Sequence, residues 1–267
     1  SDQILIFAFV SLKMVAYYDS YMIIINKINY LVNILSNGMN AGIGNLIAEG
    51  NEKNTMKVFW ELTAIRFIIV GIVIYSLLMF IQPFMICWLG NEYLLSDFIV
   101  YLLLFNLFIM LSRGVVEMYI GASGLFSDVW ATWTELFLNL GVTLALAPHL
   151  GISGILIGKI ISVFFIAMFW KPYFLFSKGF EQSVKGYWKG MTRYYAIFIV
   201  FLGISLLLKE FVIMPSVDSF LSLVIYGLII YAPLVLLYFL SMFYFTDGMK
   251  YFIARKPAIY NKLKLRK

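Results

Sequence analysis

Long, nearly uninterrupted apolar runs are the feature that most limits what this chain can fold into. Apolar side chains make up 63% of the 267 residues and charged ones only 13%, against about 45–50% and about 25% in a soluble globular chain. A water-soluble fold would expose too much apolar surface, and a disordered chain has the opposite composition. The runs do not alternate as transmembrane β-barrel strands do. We therefore predict an all-α, polytopic integral membrane helix bundle.

Eight apolar segments follow one another along the chain. The first, at about 4–12, is too short to cross a bilayer. Because the chain opens at Ser1 without a methionine, we expect this segment to be the remainder of a helix whose beginning was removed. Pro83 and Trp88 are expected to end the third segment, and Pro148-His149-Leu150-Gly151 to break the fifth. The remaining segments are predicted at about 17–45, 58–87, 97–120, 128–147, 152–176, 194–213 and 219–245.

The basic residues collect in two stretches that two predicted spans separate, so both stretches lie on one side of the membrane. By the positive-inside rule that side is the cytoplasm, and counting back in pairs of spans adds the turns at 121–127 and 46–57. The three connectors left for the outer side contain a single basic residue, Lys209. The stretches contain Lys171, Lys178, Lys185, Lys189 and Arg193, and then Lys250, Arg255, Lys256, Lys262, Lys264, Arg266 and Lys267.

The residue counts remove most catalytic chemistry. With one cysteine, Cys87, and one histidine, His149, the chain cannot form an internal disulfide or a zinc site of His and Cys ligands. A Ser-His-Asp triad would have to use His149, which is more simply a loop residue. The chain has no GxxxxGK[ST] motif and no extramembrane segment long enough for a catalytic domain. We expect no metal, no cofactor, no enzymatic activity and no nucleic-acid partner.

Charged residues inside the predicted spans are the candidates for function, because a charge at membrane depth costs several kcal/mol, by insertion scales about 2.5–3.5. Arg113 and Glu117 are four residues apart and share a helical face. The pair is either an internal ion pair or an Arg113 that faces a hydrated cavity and meets an anion. The whole set consists of Lys27, Glu61, Arg66, Arg113, Glu117, Glu135 and Lys159.

The other candidates differ in what they require. Lys159 has no acid within one turn, so its partner is a residue on another helix, with Glu135 the candidate, or a substrate. Glu61 and Arg66 lie near the start of the third segment, and we expect Glu61 to reach back to the interface. Lys27 lies among asparagines that predict a cavity-lining face: Asn26, Asn29, Asn33, Asn37, Asn40 and Asn45.

Four pieces of the chain resemble the bacterial polysaccharide (O-antigen or capsule repeat-unit) flippases of the multidrug/oligosaccharidyl-lipid/polysaccharide exporter superfamily. Together they cover about 1–162 in the family's order. A lysine, Lys159, stands where the family has a small residue. The pieces are SDQILIFAFVSLKMVAYYDSY at 1–21, AGIGNLIAEGNEKN at 41–54, PFMICWLGNEYLL at 83–95, and Arg113 followed by WATWTELFLNLGVTLALAPHLGISGILIGKIIS at 130–162.

The resemblance implies a transporter of the bacterial inner membrane with a cytoplasmic C-terminus. Its substrate would be a lipid-linked (polyprenyl diphosphate) oligosaccharide, moved by alternating access between this lobe and a missing N-terminal lobe. It implies a C-terminal transport lobe at 1–176 and two additional transmembrane helices at 194–245. The charge pattern adds a basic cytoplasmic connector at 177–193 and a basic cytoplasmic tail at 246–267. Membrane lipids surround it. The substrate-binding candidates are Arg113, Lys159, Lys27 and Arg66, and Glu117 and Glu135 would orient them or couple transport to an ion gradient.

Three other functions stay open. A drug/cation antiporter of the same superfamily would have a cavity dominated by carboxylates, whereas bases slightly outnumber acids among the candidates. A membrane polymerase or ligase acting on lipid-linked sugars would need a long outer loop with catalytic residues, and the longest predicted outer connector, at about 209–218, is short. A purely structural membrane subunit would use its intramembrane charges only for pairing and packing.

Overall fold

The structure is a computed structural model that describes the backbone of residues 2–213 and 219–264, and their side chains except at 35–37 and 256–264. Every regular element in these ranges is a helix, and none of their residues lies in a β-strand. The helices are α1 (Asp2–Phe9), α2 (Leu12–Ala48), α3 (Glu52–Leu89), α4 (Asp97–Ala122), α5 (Val129–Leu150), α6 (Ile152–Gly179), α7 (Lys185–Ile213), α8 (Phe220–Phe245) and α9 (Asp247–Lys264).

Six described helices, α3 to α8, are long and apolar enough to cross a membrane. This confirms the prediction of an all-α polytopic bundle. Helix α1 has 8 residues and is too short to span, as expected. Helix α2 has 37 residues, roughly 55 Å at about 1.5 Å per residue, but its lysines and asparagines make it less apolar than the other six.

The helix ends follow capping residues and glycines rather than prolines. The Asn51 side chain accepts a hydrogen bond from the Asn54 backbone N–H over 3.1 Å and so caps the start of α3. Helix α3 ends at Gly90 (φ +92°) and α5 at Gly151 (φ +56°), in a region that favours glycine. Pro83 does not end its helix, because α3 continues to Leu89. The predicted break at 148–151 is present, although α5 continues through Pro148 to Leu150 before Gly151 ends it. Packed membrane helices tolerate the freed backbone groups at a proline.

The two basic stretches are more helical than their predicted roles as connector and tail imply. Of the predicted connector at 177–193, only 180–184 lie between helices, because α7 begins at Lys185. The predicted tail contains α9, which packs on α3 where Gly248 meets the Trp60 backbone. The tail's Lys256, Lys262 and Lys264 side chains, and Arg266 and Lys267, lie outside the described residues, as do 214–218 of the outer connector.

The connectors gather at two opposite ends of the bundle, in the alternation that the sequence predicts. At one end, a shared cavity is lined by Gly50, Ser123 and Gln182 from three successive predicted cytoplasmic connectors. At the other, the Tyr17 and Tyr93 rings lie 4.9 Å apart. We call these the 50/123/182 end and the Tyr93 end. Helix α2 therefore runs from one end of the bundle to the other alongside the apolar helices.

Tyrosine hydroxyls fasten the last two apolar helices to α3. The Tyr75 hydroxyl of α3 donates to the Phe198 carbonyl of α7 over 2.9 Å, and the Tyr238 hydroxyl of α8 donates to the Phe67 carbonyl over 2.7 Å. Both tyrosines are buried. Such hydrogen bonds hold helices together in lipid, where apolar contacts alone do not favour association. Helix α3 is therefore the central helix on which the site is built.

Candidate functional site: a polar cavity between three helices

A cavity of about 420 Å³ lies between α2, α3 and α4. Its polar lining comes from Asn33 and Asn40 of α2, Arg66 of α3 and Glu117 of α4, and Gly114 and Gly121 leave space on the α4 side. We call it the Arg66 cavity. A positive and a negative side chain thus share a cavity with two uncharged amides that can both donate and accept hydrogen bonds.

Arg66 is positioned by an interruption in α4. That helix is broken at Arg113, between segments ending at Ser112 and beginning at Gly114. Such a break leaves helical carbonyls without their usual partners. The Arg66 Nε donates to one of them, the Leu111 oxygen, over 2.7 Å. Arg66 is only 5% exposed, so the cavity contains a nearly buried guanidinium held at a defined place.

Four of the charged residues singled out from the sequence lie close together. The Arg113 Nε lies 3.1 Å from the Glu117 Oε1, although this N–H makes no hydrogen bond with any described group. Glu117 also interacts electrostatically with Arg66, and Glu135 of α5 does so with Arg113 and Lys171. We call Arg66, Arg113, Glu117 and Glu135 the charged belt. Arg66 and Glu117 line the cavity, and Arg113 and Glu135 join them through these interactions without lining it.

Asparagines form an exposed row along α2. Asn26, Asn33 and Asn40 are seven residues apart, two helical turns, and all three are exposed. They extend over about 21 Å at 1.5 Å per residue. The Asn33 Nδ2 donates to the Asn29 Oδ1 at 3.4 Å; the Asn37 side chain lies outside the described part. Exposed amides are unfavourable against hydrocarbon. This asparagine row therefore needs water or another polar surface beside it.

The structure does not bring Lys159 or Lys27 to the Arg66 cavity. The Lys159 Nζ lies 2.9 Å from the Asp2 Oδ2, which also accepts from the Tyr18 hydroxyl over 2.9 Å. The expectation that Glu135 pairs with Lys159 is therefore wrong, because α1 supplies a closer carboxylate. Lys27 is exposed and makes no hydrogen bond or ion pair within the described ranges. Neither lysine lines the cavity.

Two charged residues behave differently from the sequence-based interpretation. Glu61 does not reach back to the interface: its side chain is 7% exposed and pairs with Arg255 of α9 at 3.1 Å. Lys209, counted with an outer connector, is 2% exposed and lies 2.7 Å from Asp97 and 2.9 Å from the Tyr101 hydroxyl. The sequence does indicate that Lys209 is buried, because this lysine directly follows three leucines.

The described residues contain no group of three or more His, Cys, Asp or Glu side chains that could hold a metal ion. The polar groups of the cavity are instead arginine, glutamate and asparagine, which suit an anionic or hydroxylated ligand better than a cation with several charges.

No protein-family model matches the chain, and the comparisons with curated proteins and with solved structures gave no match either. Its function is therefore inferred from its own residues.

Proposed function

We propose that this chain is the transport lobe of a bacterial polysaccharide flippase, which moves a polyprenyl diphosphate-linked oligosaccharide across the inner membrane by alternating access. Two structural features that occur together carry the proposal. An exposed asparagine row runs along a helix that extends from end to end of the bundle, and it leads into a cavity that contains a nearly buried arginine. A lobe that only packs against lipid has no use for either feature.

The chemistry of the cavity suits a diphosphate joined to sugars. Moving a diphosphate into the membrane removes its hydration, and charge-assisted hydrogen bonds from guanidinium groups offset that cost. Arg66 supplies such a group in the cavity wall, and Arg113, which does not line the cavity, would reach the diphosphate from beside Glu117. The Asn33 and Asn40 amides can bind sugar hydroxyls, which also both donate and accept. Glu117 and Glu135 would hold the arginines in place when the cavity is empty.

The depth of the cavity fits loading from the cytoplasm. Arg113 lies nine residues before the end of α4, about 14 Å from the 50/123/182 end, which the positive-inside rule assigns to the cytoplasm. Lys159 lies seven residues after the start of α6, in the half nearer the Tyr93 end. In the proposed cycle the charged belt meets the headgroup first, and Lys159 becomes available when a second lobe rocks the path open outward.

Two observations bear on the alternatives. Glu117 lines the cavity and is more exposed than Arg113, with side chains 42% and 22% exposed, which is the feature that favours a cation antiporter. A polymerase or ligase is less favoured, because the connector at 90–96 contains seven residues and only Gly151 separates α5 from α6.

The test is to replace Asn33 and Asn40 together by alanine, and separately Arg113 by glutamine, in the complete transporter expressed in its own cells. Asn91→Ala is the matched control, because that asparagine lies in a connector at the Tyr93 end. We expect surface polysaccharide to fall about tenfold at unchanged protein level, as the loss of a contact of about 1.5 kcal/mol predicts. The control should remain normal.

The result also separates the alternatives. Normal surface polysaccharide in both the Asn33/Asn40 and the Arg113 variants would refute the proposal. Loss of resistance to cationic dyes in a Glu117→Gln variant, with polysaccharide unchanged, would support the antiporter instead.

The orientation has its own experiment. In a Cys87→Ser background, which contains no other cysteine, Ser183→Cys and Asn91→Cys place single thiols at opposite ends of the bundle. A membrane-impermeant thiol reagent added to intact cells should label the variant at 91 and not the one at 183. The reverse pattern would place the 50/123/182 end outside.

A further inference from the structure

A second polar groove, of about 210 Å³, lies between α3, α7 and α9, away from the Arg66 cavity. Its lining includes Lys189 and Arg193 of α7, Trp60 of α3, and Asp247 and Tyr251 of α9. We call it the Arg193 groove. It belongs to the end of the bundle where both basic stretches of the sequence meet, because the Arg193 Nη1 and the Asp247 Oδ2 are 2.8 Å apart.

Positive charge dominates this groove. Lys185, Lys189 and Arg193 recur every four residues on one face of α7, and all three are exposed. Lys189 and Arg193 line the groove, and Lys250 of α9, 3.4 Å from Asp247, adds a cation beside it. Asp247 is the one acid among the residues that line the groove, so it neutralises only part of this charge. The Lys189 side chain makes no ion pair with any described residue and is available to an anion.

The shape of the groove depends on two glycines and an indole. Gly186 and Gly190 line it, and a Cβ at position 190 would overlap the Trp60 ring. The same ring stacks on Tyr194, with centroids 6.0 Å apart. Tryptophan and tyrosine are enriched at the headgroup level of membranes. The aromatic residues therefore indicate that the groove opens at that level.

An apolar surface continues from the other side of Arg193. A shallow depression of about 410 Å³ is lined there by Ala196, Ile197, Tyr244 and Phe245, together with Arg193 and Lys250. Tyr244 and Phe245 are each 65% exposed. A charged groove that borders an exposed apolar surface at one arginine matches the two parts of a phospholipid, whose phosphate and acyl chains are covalently joined.

We propose that the Arg193 groove is a binding site for an anionic phospholipid, with the phosphate between Lys189 and Arg193 and an acyl chain along Ile197 and Phe245. A soluble anion would use the charges but not the adjoining apolar surface, which is why the lipid is the favoured occupant. Helix α9 supports this placement. Its Met249 is buried against the bundle while Lys250 and Tyr251 are exposed, so α9 presents a basic and an aromatic side chain beside the groove. This site does not depend on the transported substrate.

The test measures binding of phosphatidylglycerol, by its shift of the unfolding midpoint, to the purified full chain in zwitterionic detergent micelles. The variants are Lys189→Gln, whose side chain has no described partner and whose loss leaves packing unchanged, and the double variant Lys189→Gln/Arg193→Gln. The matched control, Lys53→Gln/Lys178→Gln, removes two exposed lysines outside the groove. Each groove cation removed should weaken apparent affinity about fivefold, and the control should bind as the parent does.

Three results would overturn the proposal. The first is an equal shift with phosphatidylcholine, which would make the effect one of any phospholipid. The second is an equal shift with inorganic phosphate at the same concentration, which would identify a soluble-anion site. The third is a phosphatidylglycerol affinity that Lys189→Gln weakens no more than the control variant does.

Discussion

Arg66 and Leu111 are 45 residues apart in the chain, and a hydrogen bond of 2.7 Å joins the side-chain Nε of one to the backbone oxygen of the other. It ties the central helix α3 to α4 just before α4 is interrupted at Arg113. The same bond fixes the guanidinium at the wall of the cavity. A structural role and a proposed binding role therefore meet in one side chain, and experiments on Arg66 itself would confuse them.

Gly114 offers a way to disturb Arg66 without replacing it. A Cβ at position 114 would overlap the Arg66 guanidinium, whereas a Cβ at position 121 meets no atom within 4 Å. We expect Gly114→Ala to displace Arg66 and lower the free energy of unfolding by about 1.5–3 kcal/mol, the contribution of a hydrogen bond from a charged group. Thermal unfolding of the purified protein measures this.

Gly121→Ala is the control, on the same helix and beside the same cavity. It should leave stability unchanged or raise it slightly, because alanine favours helix more than glycine does. If both alanine variants unfold at the parent's temperature, Arg66 is not fixed against Gly114 as the structure has it.

Local sequence patterns predicted the parts of this molecule that depend on local chemistry. The apolar runs predicted α3 to α8, because a helix that crosses lipid needs about 20 apolar residues. The four-residue spacing predicted that Arg113 and Glu117 lie side by side, because both belong to one helix. Arg66 was singled out because it is charged inside an apolar run.

Pairings between distant segments could not be predicted in this way. Lys159 and Asp2 are 157 residues apart and Lys209 and Asp97 are 112 apart, so spacing carries no information about either contact. The helix that contains Glu61 meets Arg255 only because α9 folds back on it. Which carboxylate neutralises which cation is decided by the packing of whole helices.

The pair of Lys159 and Asp2 separates an ion-pair role from a substrate role. Their side chains are 27% and 25% exposed, so removing one partner leaves a poorly hydrated charge. We expect Asp2→Asn to lower stability by about 1–3 kcal/mol and the double variant Asp2→Asn/Lys159→Met to recover most of it. The measurement is a double-mutant cycle on the unfolding midpoint.

Transport by that double variant adds a second readout. Under the proposed function, the complete transporter with both changes should export polysaccharide normally if Lys159 only neutralises Asp2. A stable double variant that fails to export would assign Lys159 a contact with the substrate.

Replacing Asp97 should lower the free energy of unfolding more than replacing its partner Lys209. The Lys209 side chain is 2% exposed and that of Asp97 is 48% exposed. Asp97→Asn would leave a buried ammonium with only the more distant carboxylate of Glu210, 3.6 Å away, and cost up to about 3 kcal/mol. Lys209→Met would leave a carboxylate that water still reaches, so we expect a loss of less than half as much. Urea unfolding in detergent compares them, and equal losses would contradict the burial of Lys209.

The contact of Glu61 with Arg255 predicts how α9 is held on the bundle. Glu61 is 7% exposed on α3, and its partner on α9 is 39% exposed. Arg255→Gln leaves the buried Glu61 carboxylate without its partner, whereas Glu61→Gln leaves an arginine that can turn toward water. We therefore expect Arg255→Gln to release α9 more than Glu61→Gln does. Limited trypsin digestion should show this as several-fold faster cleavage at Lys250.

A charge exchange completes that experiment. The double variant Glu61→Arg/Arg255→Glu reverses the pair and should slow cleavage relative to Arg255→Gln, if the two side chains meet as they do here. Glu52→Gln, an exposed acid at the start of the same helix, controls for loss of negative charge alone and should be cleaved at the parent's rate. Equal protection of α9 in all these variants would mean that apolar contacts such as those of Met249, and not the ion pair, hold the helix in place.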